Sequence, residues 1–141
     1  MSVDFIDSNV FIYLFDETSE GKRITAERLV ERGIREGSAC ISYQVVQEVL
    51  NVITRKFDPP ATAGDARMLL DQVLLPLWRV MPNQALYQRA LDIKDRYKYG
   101  FYDSLIVASA LEFGCSRLLS EDLSSGQTID HLTIENPFAA S

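Results

Sequence analysis

Apolar positions along the chain recur in two rhythms, short unbroken runs and helical spacing, and their alternation predicts the architecture. Val3–Ile6 reads as a short buried strand, and Asn9–Phe15 as a helix apolar on nearly all sides. After a polar loop, Asp16–Gly21, the spacing of Ile24, Leu29, Val30 and Ile34 predicts an amphipathic helix over Lys22–Glu36, stopped by Gly37. Ala39–Ile41 forms a second predicted strand, and Ser42 stands where it can cap a helix over Tyr43–Phe57. Asp58-Pro59-Pro60 breaks the chain, and a helix from Thr62 to Leu75 follows, ending ahead of Pro76. Trp78–Val80 is the third strand, and Asn83 caps a helix reaching Lys98. Tyr99-Gly100-Phe101-Tyr102 reads as a turn into a buried helix, Ser104–Phe113, closed by Gly114. Arg117–Leu119 and Thr133–Glu135 are the fourth and fifth strands.

Strands alternating with helices predict an α/β layer fold with a mostly parallel sheet. No repeat, low-complexity stretch or linker divides the chain, so residues 1–141 read as one domain large enough to bury a core. The apolar run Val10–Phe15 is far short of the ~20 residues a membrane span needs. Acids and polar residues interrupt the N-terminus early, unlike a signal peptide, so a soluble cytoplasmic protein without membrane contact is expected. Cys40 and Cys115 sit among apolar residues and read as reduced core side chains. His131, the only histidine, lies in a polar tail and reads as a surface residue, which leaves mechanisms built on a catalytic histidine without support.

Four acids occupy places where a carboxylate is awkward unless something binds it. Asp7 and Asp122 each follow a predicted parallel strand, at the edge where open α/β sheets bind ligands. Taken singly, Asp7 is equally a helix cap and Asp122 a turn residue. Glu48, at about 100° per residue, falls beside the apolar face of Val45, Val49, Val52 and Ile53; pairing with Arg55 is the alternative. Asp103 begins a buried helix, where free amides favour its ionised form and simple capping is the alternative. Together they form an all-oxygen set suited to Mg²⁺ or Mn²⁺, one or two ions, and not to zinc. Such ions activate a water and neutralise phosphate charge. Ser8, Asn9, Ser104 and Ser120 are close enough in sequence to hydrogen-bond the carboxylates.

The ordered set of Asp7-Ser8-Asn9, Glu48, Phe101-Tyr102-Asp103-Ser104-Leu105-Ile106-Val107-Ala108 and Leu119-Ser120-Glu121-Asp122-Leu123 spans essentially the whole chain. In that order and spacing it resembles the PIN-domain nucleases, and among them the VapC-like toxins of toxin–antitoxin pairs. The resemblance implies a three-layer fold with a mostly parallel central sheet flanked by helices. It implies Asp7, Glu48, Asp103 and Asp122 as the metal-binding and catalytic acids, with Asp122 and not Glu121 as the last of them. It further implies a metal-dependent endoribonuclease acting on tRNA or rRNA and leaving a 3′-hydroxyl and a 5′-phosphate. A homodimer and a cognate antitoxin are the implied protein partners. Tyr102 and Ser104 stand where relatives often carry Trp and Ala, a departure that touches substrate fit and no ligand.

The formal net charge of −6 would ordinarily exclude a nucleic-acid binder. Two divalent ions on the four acids would reduce it to about −2, and net charge does not decide what one cleft binds. Arg89, Lys94, Arg96 and Lys98, interleaved with or followed by Tyr97, Tyr99, Phe101 and Tyr102, could hold phosphates and stack unpaired bases next to Asp103. The competing reading makes them a solvated helix face and a covering of the core. Two further readings of the whole chain compete. A phospho-accepting receiver domain would need a second acid beside Asp7, where Ser8 stands. A protein-binding module of the same fold would have no need of the acids.

Overall fold

The computed structural model describes residues 2–139. A six-stranded sheet runs β3-β2-β1-β4-β6-β5, parallel throughout except for the last pair. Its strands are β1 (Asp4–Ile6), β2 (Ala39–Ser42), β3 (Trp78–Val80), β4 (Arg117–Leu119), β5 (Thr128–Ile129) and β6 (Leu132–Glu135). The flanking helices are α1 (Ser8–Ile12), α2 (Glu20–Glu36), α3 (Tyr43–Arg55), α4 (Ala63–Leu69), α5 (Leu75–Leu77), α6 (Gln84–Tyr97) and α7 (Phe101–Glu112). The mixed α/β, mostly parallel arrangement is the one the alternating pattern predicts.

The chain goes from β1 outward to β2 and β3, then crosses back to add β4 on the other side of β1. The order of strands therefore reverses between β1 and β4, which opens a crevice at their carboxyl ends. Phe5, Ile41 and Leu118, all fully buried, carry the core across these central strands. Cys40 and Cys115 are free, buried and adjacent, with their sulfurs 3.4 Å apart. His131 is exposed. No described helix is long and apolar enough to cross a membrane.

Several predicted boundaries move, each for a local reason. The first helix is shorter than Asn9–Phe15: α1 stops at Ile12 and Tyr13–Phe15 tighten into a 3₁₀ turn. In α2 the buried positions are Ala26, Val30 and Gly33, while Ile24 is exposed. Small residues face the sheet there because the helix lies so close: a Cβ on Gly33 would stand 2.6 Å from that of Ala39. Gly37, at φ 64°, ends α2 as expected.

The chain does not stop before Pro76. Leu70–Leu74 widen into a π turn, with the Leu75 amide reaching the Leu70 carbonyl, and Pro76 sits inside the helical continuation. A wider turn relieves the clash that proline makes with the preceding turn of an α-helix. Ser42 precedes α3 without making a side-chain cap, whereas Asn83 Oδ1 accepts from the Leu86 amide as expected. The last long helix starts at Phe101, with Gly100 in the cap position, so Asp103 lies in its first turn and does not open it. Thr128–Ile129 adds a short antiparallel strand absent from the predicted set.

Candidate active site

Asp7 leaves β1 at the crevice. Its amide donates to the Leu119 carbonyl at 3.0 Å, extending the β1–β4 ladder by one residue. The side chain is 5% exposed and accepts from the Ser8 amide and from Ser120 Oγ, both at 2.7 Å. It is thus a cap of α1 and a buried acid at once. Burial dominates its chemistry, and Glu48 and Asp122 add to it. They raise its pKa to about 6 despite the bonds from Ser120 and Ser8.

The loop after β4 brings Asp122 to the same crevice. Ser120 Oγ, besides donating to Asp7, accepts from the Asp122 amide at 3.2 Å. Asn9 joins the two strand ends: its Nδ2 donates to Asp122 Oδ2 at 3.1 Å and its Oδ1 accepts from the Glu121 amide at 3.4 Å. Ser8 and Asn9 belong to α1 and Ser120 to the loop, so three of the four predicted supporting residues hydrogen-bond the acids.

Glu48 approaches from α3. It forms no ion pair with Arg55 or any other described cation, so it neither snorkels to a partner nor pairs along its helix. Burial raises its pKa, bonds to Ser8 and Gln44 oppose that, and Asp103 and Asp122 raise it further. Asp103, on the first turn of α7, is raised by burial and then by Asp122. Asp7, Glu48 and Asp103 are therefore each sensitive to others of the four acids, which come from four different parts of the chain. Among the described residues, no three His, Cys, Asp or Glu side chains are drawn into the separations that would enclose a metal ion. The arrangement is a loose group of like charges whose donors are all oxygen.

Gln44 was not picked out by the sequence pattern. It is 4% exposed, lies one helical turn before Glu48, bonds to it, and donates from Nε2 to the Tyr102 carbonyl at 3.1 Å. It thereby ties α3 to the start of α7, and its place one turn before Glu48 on the same edge of the helix is the available signal. Ser104, expected to support the acids, is fully buried, and its hydroxyl has no partner.

The predicted substrate residues are dispersed. Arg89 pairs with Glu112 and Asp130, at the opposite end of α7 from Asp103. Arg96 stacks over Tyr97, and Lys98 lies 3.9 Å from Asp95. Lys94 is exposed on the last turn of α6. Tyr99 bonds to Gln127. Tyr102, 67% exposed beside Asp103, is the one aromatic of the group open to solvent at the acids.

Solved structures share this fold at low sequence identity. A toxin–antitoxin complex from Klebsiella pneumoniae is similar with a TM-score of 0.66 and 20% identity, covering 95% of this chain and 97% of that one. VapC20 of Mycobacterium tuberculosis, a sarcin–ricin loop cleaving toxin, is similar at 0.60 and 19% over 84% and 91% of the respective chains. VapBC2 from Rickettsia felis, solved bound to a DNA fragment from its promoter, is similar at 0.67 and 13% over 95% and 98%. No curated protein matches the sequence. The sequence profile described as the PIN domain matches residues 5–124, which include all four acids and most of the chain, and the chain belongs to the PIN domain family.

Proposed function

We propose that this protein is the toxin of a toxin–antitoxin pair and a divalent-metal-dependent endoribonuclease. Asp7, Glu48, Asp103 and Asp122 are its metal-binding and catalytic acids. The observation that supports the reading is that the four acids form a loose group near the β1–β4 crevice and act on one another: besides desolvation, Glu48 and Asp122 raise the proton affinity of Asp7, Asp103 and Asp122 that of Glu48, and Asp122 that of Asp103. Like charges gathered without an internal counter-ion favour a cation, and carboxylate oxygens favour Mg²⁺ or Mn²⁺, one or two ions. A bound ion supplies a Lewis acid for the phosphodiester and an activated water.

The chain's own residues prepare that site. Ser120 and the Ser8 amide fix the Asp7 carboxylate, Asn9 fixes Asp122, and Gln44 ties α3, which carries Glu48, to the start of α7. Tyr102 is the exposed aromatic assigned to an unpaired base, and Lys94, Arg96 and Lys98 are the exposed cations assigned to phosphates, whereas Arg89 is committed to ion pairs. The sarcin–ricin loop cleaving neighbour supports an RNA substrate, with tRNA and rRNA the classes to try first. The toxin–antitoxin neighbours support an antitoxin partner, and a homodimer is expected.

The test is incubation of the purified protein with total RNA, with Mg²⁺ or Mn²⁺ and with EDTA. Metal-dependent cleavage that disappears in Asp7→Asn is expected. Equal cleavage by that variant, or cleavage indifferent to EDTA, would overturn the proposal.

A further inference from the structure

Two acids, Glu121 and Asp122, stand side by side after β4. Asp122 raises the proton affinity of Asp7, Glu48 and Asp103, whereas both carboxylate oxygens of Glu121 are taken up elsewhere. Glu121 Oε1 accepts from the Tyr13 hydroxyl at 2.6 Å, and Oε2 accepts from Lys22 Nζ at 2.6 Å. Lys22 also donates to the Tyr13 hydroxyl at 3.1 Å, and its ammonium lies 4.9 Å from the centre of the Tyr13 ring and 5.9 Å from that of Phe138. Phe138 in turn meets Tyr13 edge-on at 4.9 Å. Burial works to raise the Glu121 pKa, but the bonds from Lys22 and Tyr13 outweigh it and hold the carboxyl below its usual value.

We propose that Lys22, Tyr13 and Glu121 form a clamp that positions Asp122 in the acid cluster. The inference rests on the nuclease reading and deepens it by naming positioning residues outside the acid set. The clamp holds the side chain of residue 121 away from the crevice, while Asn9 holds the backbone amide of residue 121 and the carboxylate of residue 122. With both anchored, the loop has little freedom to exchange one acid for the other. An exposed ion pair alone contributes little to stability. A lysine that also bonds and overlies a tyrosine gains from the whole network, which ties the turn after α1, the first turn of α2 and the loop after β4 together.

The experiment uses Lys22→Met, Tyr13→Phe, which removes one oxygen and keeps the ring packing, and Lys22→Arg as the conservative replacement. Amide hydrogen exchange at Glu121 and Asp122 is read on metal-free protein, followed by Mn²⁺ titration and RNA kinetics. The first two variants are expected to speed exchange at these amides and to weaken Mn²⁺ binding by about 10-fold or more, the usual effect of removing a group that orients a ligand. Cleavage should lose kcat with little change in KM, and Lys22→Arg should recover most of each readout. Unchanged exchange and Mn²⁺ affinity in both variants would overturn the clamp. A lower melting temperature with wild-type Mn²⁺ affinity would reduce it to a structural staple and overturn it equally. Wild-type protein that fails to cleave RNA, while exchange and Mn²⁺ affinity still respond, would remove the nuclease reading and leave the clamp supported.

Discussion

The two ends of β1 carry an aspartate each and treat it in opposite ways. Asp4 sits opposite Arg117 in the β1–β4 register, and the guanidinium grips both carboxylate oxygens, at 2.9 and 2.6 Å, while its third arm reaches Glu135 at 2.9 Å. Asp7, three residues along the same strand direction, meets the Ser8 and Ser120 hydroxyls and the Ser8 amide and, among the described residues, no cation, with two more acids close enough to raise its pKa. A fold able to supply a fork of cationic donors to one aspartate has withheld it from the other. Paired acids are explained by structure alone; an acid buried without a cation needs a further partner.

The contrast can be broken most sharply by activity. Asp7→Asn should reduce metal-dependent RNA cleavage by at least about 100-fold, or about 3 kcal/mol of transition-state stabilisation. Asp4→Asn should leave initial rates within a few-fold. Next comes stability without metal. Asp7 has a folded pKa of about 6 against 3.8 for the free side chain, so its ionised form opposes folding. That cost is complete above pH 6, shrinks as the pH falls, and vanishes below about 4, where the carboxyl is neutral in both states. Asp7→Asn should therefore be more stable than wild type by about 2–3 kcal/mol in urea unfolding with EDTA at pH 7.5. The two should converge at pH 4.

Removing the cation from the other end should act in the reverse sense. Arg117→Met leaves Asp4 and Glu135 unpaired and should cost about 1–2 kcal/mol, between the values for exposed and buried pairs. Cleavage should persist. The smallest expected effect is thermal: millimolar Mn²⁺ should raise the wild-type melting temperature by about a few degrees through binding linkage and leave Asp7→Asn unmoved.

The contrast at β1 also marks what a linear reading can reach. Five of the six strands are legible as short, largely apolar segments, and β5 is not; the acids stand out only as an ordered set, since Asp7, Asp103 and Asp122 each have a cap or turn reading when taken singly. The inward face of α2 is legible in part: Leu29, Val30 and Ile34 pack on the core, but Ile24 is exposed, and Ala26 and Gly33, which are buried, carry almost no hydrophobic signal. Pro76 was taken for a stop because the π turn that accommodates it leaves no mark in the pattern. The supporting roles of Asn9 and Ser120 could be anticipated, since they neighbour the acids. The bonds of Tyr13 and Lys22 to Glu121 leave no such mark, because the partners lie 108 and 99 residues away. The family resemblance favours Asp122 over Glu121, and the packing adds that Glu121 is already bonded to Tyr13 and Lys22.

The touching sulfurs of Cys40 and Cys115 have a practical consequence. Cys40 pairs directly with Phe5 of β1, and Cys115 precedes the strand on the other side of β1, both with no surface exposed. A thiol-specific dye can reach either one only when the middle of the molecule parts, so the rate of colour development in native buffer clocks that opening. The protein thus carries two built-in reporters of its own breathing, with no label to engineer.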